Sequence, residues 1–224
     1  MSLPLLEVRR LGRLEYPAAL TLQRALVEER RTNHVPDLLL LVEHPPVITI
    51  GVKGDGGRGN IIATPEQLAS LGIAIQETGR GGDVTYHGPG QLVVYPILDL
   101  RPDRCDVHRY VRDIEDVMIR LCASYGVTAG RIAGLTGAWV GSEKIGAIGI
   151  RMSRWITSHG LALNVSTDLD HFRLIVPCGI GDRGVTSLER AAGRRIPIPE
   201  VEDAFVRHFA IVFTRAVPSP ATSA

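Results

Sequence analysis

The chain has 224 residues, 45% of them hydrophobic, and a formal net charge of +1, which suits one sizeable globular domain. The near-neutral charge argues against electrostatic binding to nucleic acid or to an anionic membrane surface. Three cysteines without a Cys-x-x-Cys pair argue against a disulfide framework, and no His-Glu-x-x-His pair indicates a metal site.

The N-terminal half is predicted to contain one amphipathic helix, one short capped helix and several strands. The amphipathic helix is expected over Pro17 to Arg31, and Thr64 before Pro65 is an N-cap that opens the short helix. Gly-rich loops are expected at Lys53 to Asn60 and at Arg80 to Gln91. Strands are expected at Leu5 to Leu11, Asp37 to His44, Val47 to Gly51, Ile73 to Glu77, and Leu92 to Leu98.

The C-terminal half is predicted to begin with a long helix over Asp106 to Tyr125 and to end with one over Val201 to Val217. Between them, short strands are expected at Ala138 to Val140, Lys144 to Met152, and Trp155 to Val165. Because strands and helices do not alternate strictly, the pattern favours an α/β chain of the α+β type, with a mixed β-sheet packed with helices. We expect one catalytic domain over residues 1–217 and a disordered tail over 218–224.

The most apolar stretch, Leu38 to Val52, is interrupted by Pro45 and Pro46 and is too short to span a bilayer. No basic segment precedes an apolar run at the N-terminus, so no signal peptide is indicated. We therefore expect a soluble, cytoplasmic protein.

The segment Arg80 to Gln91 reads Arg-Gly-Gly-Asp-Val-Thr-Tyr-His-Gly-Pro-Gly-Gln and is a candidate ligand loop. Glycine lets a backbone approach a ligand closely, although a long turn between strands is the alternative reading. The dinucleotide pattern Gly-x-Gly-x-x-Gly fails because Val84 takes the place of the third glycine, and no phosphate-binding loop occurs.

Only two of the 25 basic residues are lysines, Lys53 and Lys144. A lysine can lose its proton in a suitable environment, whereas an arginine effectively cannot, so a lysine in an arginine-dominated chain is a candidate for proton chemistry. Small residues surround Lys144, and we expect them to let a substrate lie against its strand. For Lys53, chance retention stays an open alternative.

Cys178 lies between Pro177 and Gly179, a setting that favours exposure to a ligand. A nucleophilic cysteine needs a lowered pKa, usually from a nearby cation or a positive backbone dipole, and Lys144 is the natural candidate cation. The equal alternative is a buried small apolar side chain.

Several motifs occur in one order: the Arg80 to Gln91 loop, Gly-Ala-Trp-Val from Gly137, Lys-Ile-Gly-Ala-Ile-Gly-Ile-Arg from Lys144, His-Gly-Leu-Ala-Leu-Asn from His159, and Pro-Cys-Gly from Pro177. Together, over roughly Leu38 to Leu188, the chain resembles the lipoyl(octanoyl) transferases of the biotin/lipoate protein ligase fold. One departure is Val52, where that family often has an arginine directly after the glycine.

The resemblance implies an enzyme without cofactor or metal that takes part in protein lipoylation. It would move an octanoyl group from octanoyl-acyl carrier protein to a lysine of lipoyl domains, in 2-oxoacid dehydrogenase E2 subunits and the glycine cleavage H protein. Cys178 matches the nucleophile and Lys144 the lysine that lowers its pKa. The implied substrate-binding residues are Arg80, Gly81, Gly82, Asp83, Val84, Thr85, Tyr86, His87, Ala147, Ile148, Gly149, Gly160, Leu161 and Ala162.

Thiolate attack on a thioester yields a thioester of similar energy, so this reaction needs no ATP. Its oxyanion would be stabilised by backbone amides near Gly179 and in the Gly81-Gly82 pair. His44, His87 and His159 are candidate helpers, with hydrogen-bonded structural roles as the equal alternative. The competing hypotheses are an ATP-dependent lipoate or biotin ligase of the same fold, and a non-catalytic module that binds carrier or lipoyl domains.

Overall fold

The computed structural model describes residues 3–53, 58–102, 104–176 and 183–218. Its α-helices are α1 (Tyr16–Arg31), α2 (Pro65–Ser70), α3 (Val107–Ser124), α4 (Leu188–Ala192) and α5 (Ile198–Phe213). Its strands are β1 (Leu6–Arg13), β2 (Asp37–Glu43), β3 (Val47–Ile50), β4 (Ala74–Glu77), β5 (Val84–His87), β6 (Gln91–Ile97), β7 (Ala138–Val140), β8 (Glu143–Ser153) and β9 (Ile156–Asn164). Short 3₁₀ helices cover Arg58–Asn60 and Leu169–Leu174.

The strands form two mixed sheets, which confirms the predicted fold class. The larger has six strands in the order β1-β2-β6-β9-β8-β7, and the smaller has the order β4-β3-β5. Among the nine strands described, β1 with β2 and β3 with β4 pair in parallel, and the other strand pairs are antiparallel. The chain leaves the large sheet at the end of β2 and enters the small one at β3, so Pro45 and Pro46 separate two sheets.

The large sheet has an apolar core on each face. Leu39 and Leu41 of β2 point to the core that contains helices α3 and α5, whereas Leu38 and Leu40 point to the core that contains α1. All four side chains are fully buried. A strand buried on both faces reads as an unbroken apolar run, which explains why β2 shows no alternation of polar and apolar residues.

Side-chain caps begin two of the predicted helices, and the cap at Thr64 confirms the predicted N-cap. Thr64 Oγ1 accepts a hydrogen bond from the Gln67 amide, and Gln67 Oε1 accepts one from the Thr64 amide, which makes a complete capping box. Asp106 caps α3 in the same way through the Arg109 amide. No described helix has both the length and the apolar character needed to cross a membrane.

Three expectations about the elements need correction. The supposed loop from Arg80 to Gln91 contains strand β5, which pairs with β3, a partner distant in sequence. The last helix begins at Ile198, earlier than expected, because Pro199 is tolerated in a first helical turn. It ends at Phe213 because Thr214 adopts a left-handed conformation with φ of 55°. Residues 219–224 of the predicted tail lie outside the described residues.

Candidate active site

A cavity of about 520 Å³ lies against β6, β8 and β9 of the large sheet and β5 of the small one. Its volume falls within the range of roughly 300–1,000 Å³ that small-molecule sites occupy. Most of the sequence-predicted site residues line it: Arg80, Gly82, Asp83, Val84, Thr85, His87, Lys144, Ala147, Ile148, Gly149, Gly160, Leu161 and Ala162. Cys178 belongs to residues 177–182, which lie outside the described part of the chain.

Two predicted site residues, Gly81 and Tyr86, support the cavity wall and do not line it. The Gly81 amide donates to the Ile150 carbonyl at 2.8 Å and so ties the loop to β8. This bond also corrects the proposal of Gly81 as an oxyanion donor, because its N–H is already engaged; Gly82 does line the cavity. The Tyr86 ring is buried against Phe172, and burial raises its pKa to about 12.

Small residues on β8 and β9 face each other along the cavity wall. Ala147 pairs with Ala162 and Gly149 pairs with Gly160. An added Cβ on Gly149 would lie 3.0 Å from the Gly81 carbonyl oxygen, and one on Gly160 would lie 2.1 Å from the Val94 oxygen. These glycines therefore allow close approach of neighbouring backbone.

Gly146, one of the small residues around Lys144, lines the cavity and also packs closely against α3. An added Cβ there would lie 2.4 Å from the sulfur of Met118, a residue of α3. Because Met118 belongs to the core on the α3 face of the sheet, this glycine is needed for helix packing.

Arg80 fixes the conformation of the loop that carries it. Its buried guanidinium donates to the Thr49 carbonyl at 2.6 Å, to the Thr49 hydroxyl and to the Gly81 carbonyl. The side chain thus joins β3 to the start of the loop. It also places a positive charge in the cavity wall.

A chain of hydrogen bonds crosses the cavity wall from β5 to β8. His87 Nδ1 donates to Gln91 Oε1 at 2.7 Å, and Gln91 Nε2 donates to Asn164 Oδ1 at 2.9 Å. Asn164 Nδ2 then donates to the Thr186 carbonyl at 3.0 Å, and the Thr186 amide donates to the Lys144 carbonyl at 3.0 Å. The tautomer of His87 follows from this network, because Gln91 Oε1 can only accept.

The three candidate helper histidines are buried. Burial lowers the pKa of His87 to about 3, with the neighbouring His44 as the next cause, so His87 is neutral near pH 7. His44 donates to the Leu14 carbonyl and accepts from the Tyr95 hydroxyl, and burial lowers its pKa too. These full hydrogen-bond sets favour structural roles for both. His159 lines the cavity, and burial lowers its pKa to about 4.

Lys144 is half-buried and its backbone is held by the segment that follows residues 177–182. Its amide donates to the Gly184 carbonyl at 3.0 Å, and its ammonium lies 4.7 Å from the centroid of the Trp139 ring. Val185 lines the same cavity as Lys144. On the other side of residues 177–182, the Val176 amide donates to the Asn60 carbonyl at 2.7 Å.

Sequence reasoning missed several lining residues. The rarity of lysine pointed to Lys53, and the structure places both lysines of the chain at this cavity. Gln91 and Asn164 stand at the ends of quoted motifs, which was an available signal. Residues 134–136 also form part of the wall, and nothing in the sequence indicated them. The missed lining residues are Tyr16, Lys53, Gln91, Val93, Tyr95, Gly134, Leu135, Thr136, Asn164, Phe172 and Val185.

A family model described as the lipoyl protein ligase A/B catalytic domain matches residues 15–210. An octanoyltransferase of Myxococcus xanthus is 53% identical over 212 residues, which cover 92% of this chain and 59% of that protein. The chain therefore spans less than two thirds of that relative. An octanoyltransferase of Solibacter usitatus is 53% identical over 206 residues, which cover 92% of each chain.

Two solved structures with a similar fold are lipoate protein ligases. Lipoate-protein ligase A bound with ATP has a TM-score of 0.71 at 18% identity, covering 98% of this chain and 90% of that one. The structure of a bipartite lipoate protein ligase and its E2 lipoyl domain from Thermoplasma acidophilum has a TM-score of 0.65 at 19% identity. The match covers 96% of this chain and 88% of that one. At these identities the likeness shows the fold alone, and it confirms the predicted biotin/lipoate protein ligase-like fold.

Proposed function

The chain belongs to the octanoyltransferases of the lipoyl protein ligase A/B catalytic-domain family, and on that premise we propose that it moves an octanoyl group from octanoyl-acyl carrier protein, through a thioester on Cys178, to a lysine ε-amine of lipoyl domains. The acceptors are those of 2-oxoacid dehydrogenase E2 subunits and the glycine cleavage H protein. The observation that carries the proposal is one cavity shared by Lys144, the Arg80 segment and the small residues of β8 and β9.

In the first step, the Cys178 thiolate attacks the thioester carbonyl of the donor. A carbon–sulfur bond to Cys178 forms, the bond to the carrier's sulfur breaks, and that sulfur leaves as a thiolate that takes up a proton from the Lys144 ammonium. Lys144, as a cation, favours the ionised state of the attacking sulfur. One thioester replaces another, so the step requires no ATP.

In the second step, the acceptor lysine attacks the Cys178 thioester as a neutral amine. A carbon–nitrogen bond forms, the carbon–sulfur bond to Cys178 breaks, and the amine nitrogen loses a proton. Once the thiolate has become a neutral thioester, the Lys144 ammonium has lost its counter-charge and gives up its own proton more readily. It can then accept the proton of the attacking amine as a general base.

Mass spectrometry of the protein after incubation with octanoyl-acyl carrier protein tests the proposal. We expect one octanoyl adduct on Cys178 and none in the Cys178→Ala variant. The two other cysteines are internal controls: Cys105 is exposed, and Cys122 is buried, which raises its pKa to about 12. An active enzyme with an unmodified Cys178 would overturn the thioester mechanism.

The ATP-dependent ligase of the same fold makes the opposite prediction. It would activate free octanoate with ATP and would retain activity in Cys178→Ala. Assaying both variants with free octanoate plus ATP, and separately with the carrier-bound thioester, separates the two mechanisms.

A further inference from the structure

The Trp139 ring lies against the ammonium of Lys144. The two residues are directly opposite in the antiparallel pair β7–β8, so their side chains share one face of the sheet. Lys144 Nζ is 4.7 Å from the ring centroid, and Trp139 is only 3% exposed. A cation within about 6 Å of an aromatic centroid is attracted to the ring, and indole is the strongest natural partner.

The backbone of Trp139 is fixed on both sides, so the ring has a defined position. On one edge of β7, Trp139 exchanges two backbone hydrogen bonds with Gly130, at 2.7 and 2.9 Å. On the other edge, Trp139 pairs with Lys144 of β8. The lysine side chain is a flexible four-carbon stem that can point in many directions. A ring held in place beside that stem restricts where the charged end can lie.

A second cation lies against the same ring, so the position of the ammonium depends on the ring's attraction. The Arg183 guanidinium lies 5.8 Å from the same ring centroid, so the ring attracts two cations that repel each other. Next to Lys144 in sequence, Glu143 lies 3.7 Å from Arg190 in an ion pair. Without the ring, the ammonium would keep the repulsion from Arg183 and lose the attraction that offsets it.

We infer that Trp139 is a positioning residue for octanoyl transfer, holding the Lys144 ammonium at the cavity wall through its indole ring. The inference rests on the proposed function, because it assumes that Lys144 takes part in the transfer. Trp139 does not itself line the cavity, so it acts on the reaction through Lys144.

The sharpest test changes the electrons of the ring and leaves its size almost constant. In a Trp155→Phe background, Trp139 is the only remaining tryptophan and can be replaced by tryptophans carrying an increasing number of fluorine atoms. Trp155 lies at the β8–β9 turn, outside the cavity lining, so its replacement leaves the basal activity unchanged. The reaction measured is octanoyl transfer from octanoyl-acyl carrier protein to a lipoyl domain.

We expect kcat to fall stepwise with each fluorine, by about tenfold over the series, which corresponds to ~1.4 kcal/mol. KM for the lipoyl domain should stay constant across the series, and the unfolding midpoint of each variant should stay well above the assay temperature, so that the loss of kcat does not reflect unfolding. A kcat independent of fluorination would overturn the inference, because a ring that only packs is insensitive to its charge distribution.

Two comparisons keep the result interpretable. Trp139→Phe retains a weaker ring and should lose less activity than Trp139→Leu, which retains none. If the unsubstituted enzyme forms no octanoyl adduct and transfers nothing, the proposed function fails. If it transfers octanoyl while the fluorinated series is flat, only the role of Trp139 fails.

Discussion

Replacing Gln91 with methionine removes the amide at the centre of the hydrogen-bonded chain from His87 to Lys144. Gln91 is 1% exposed and contacts His87 Nδ1, Asn164 Oδ1 and the Tyr86 carbonyl. Each buried polar group left without a partner costs about 1–3 kcal/mol. Because the neighbours can relax, we expect the substitution to lower the free energy of unfolding by about 3 kcal/mol in total.

Urea denaturation of Gln91→Met and of a matched control measures this loss. Gln76→Met is the control, because the Gln76 amide makes one surface hydrogen bond to the Glu77 carbonyl. We expect that control to change stability by no more than about 0.5 kcal/mol. If Gln91→Met were equally mild, the cavity wall would not depend on this network, and the reasoning from buried hydrogen bonds would be refuted.

Three further substitutions test other parts of the account. Gly160→Ala places a Cβ 2.1 Å from the Val94 carbonyl oxygen and should destabilise by about 1–3 kcal/mol in urea. In Gly59→Ala, the added Cβ meets nothing within 4 Å, so this control should not be destabilised. Equal effects of the two substitutions would contradict the packing argument. The pKa of His87 is lower in the folded state, about 3, than the ordinary 6.5, so the unfolded state binds more protons between these values. The free energy of unfolding should therefore fall by about 1.4 kcal/mol for each pH unit between 6.5 and 3. His87→Gln should make this dependence on pH less steep in urea titrations, and an unchanged slope would count against a buried neutral His87. Lys144→Arg keeps the charge but loses the proton-transfer option, so single-turnover assays should show that thioester formation survives better than amide formation. Equal loss of both steps would leave Lys144 with a geometric role.

The elements that the sequence predicts well are those that neighbouring residues determine. Thr64 and Gln67 form their capping box within one helical turn, and Asp106 caps α3 in the same local manner. The apolar run of β2 indicated a strand without reference to its partners. Thirteen of the residues that the motifs predicted for the site line one cavity, because the motif segments lie on or next to β5, β8 and β9.

What the sequence does not predict depends on contacts between distant segments. β5 has only four residues and lies between glycine-rich segments, and its pairing with β3 makes it a strand. Position 146 requires a glycine because the sulfur of Met118, on α3, would lie too close to a Cβ atom there. The cation–ring contact between Trp139 and Lys144 depends on the irregular register of β7, which shifts between Ala138 and Trp139.

The most direct test of the central claim is a chase of the isolated acyl-enzyme. The protein is charged with octanoyl-acyl carrier protein, freed of donor, and mixed with a lipoyl domain in the absence of ATP. We predict that the octanoyl group leaves Cys178 and appears on the acceptor lysine in equal amount. An adduct that persists on the enzyme while the lipoyl domain stays unmodified would contradict a covalent intermediate on the transfer path.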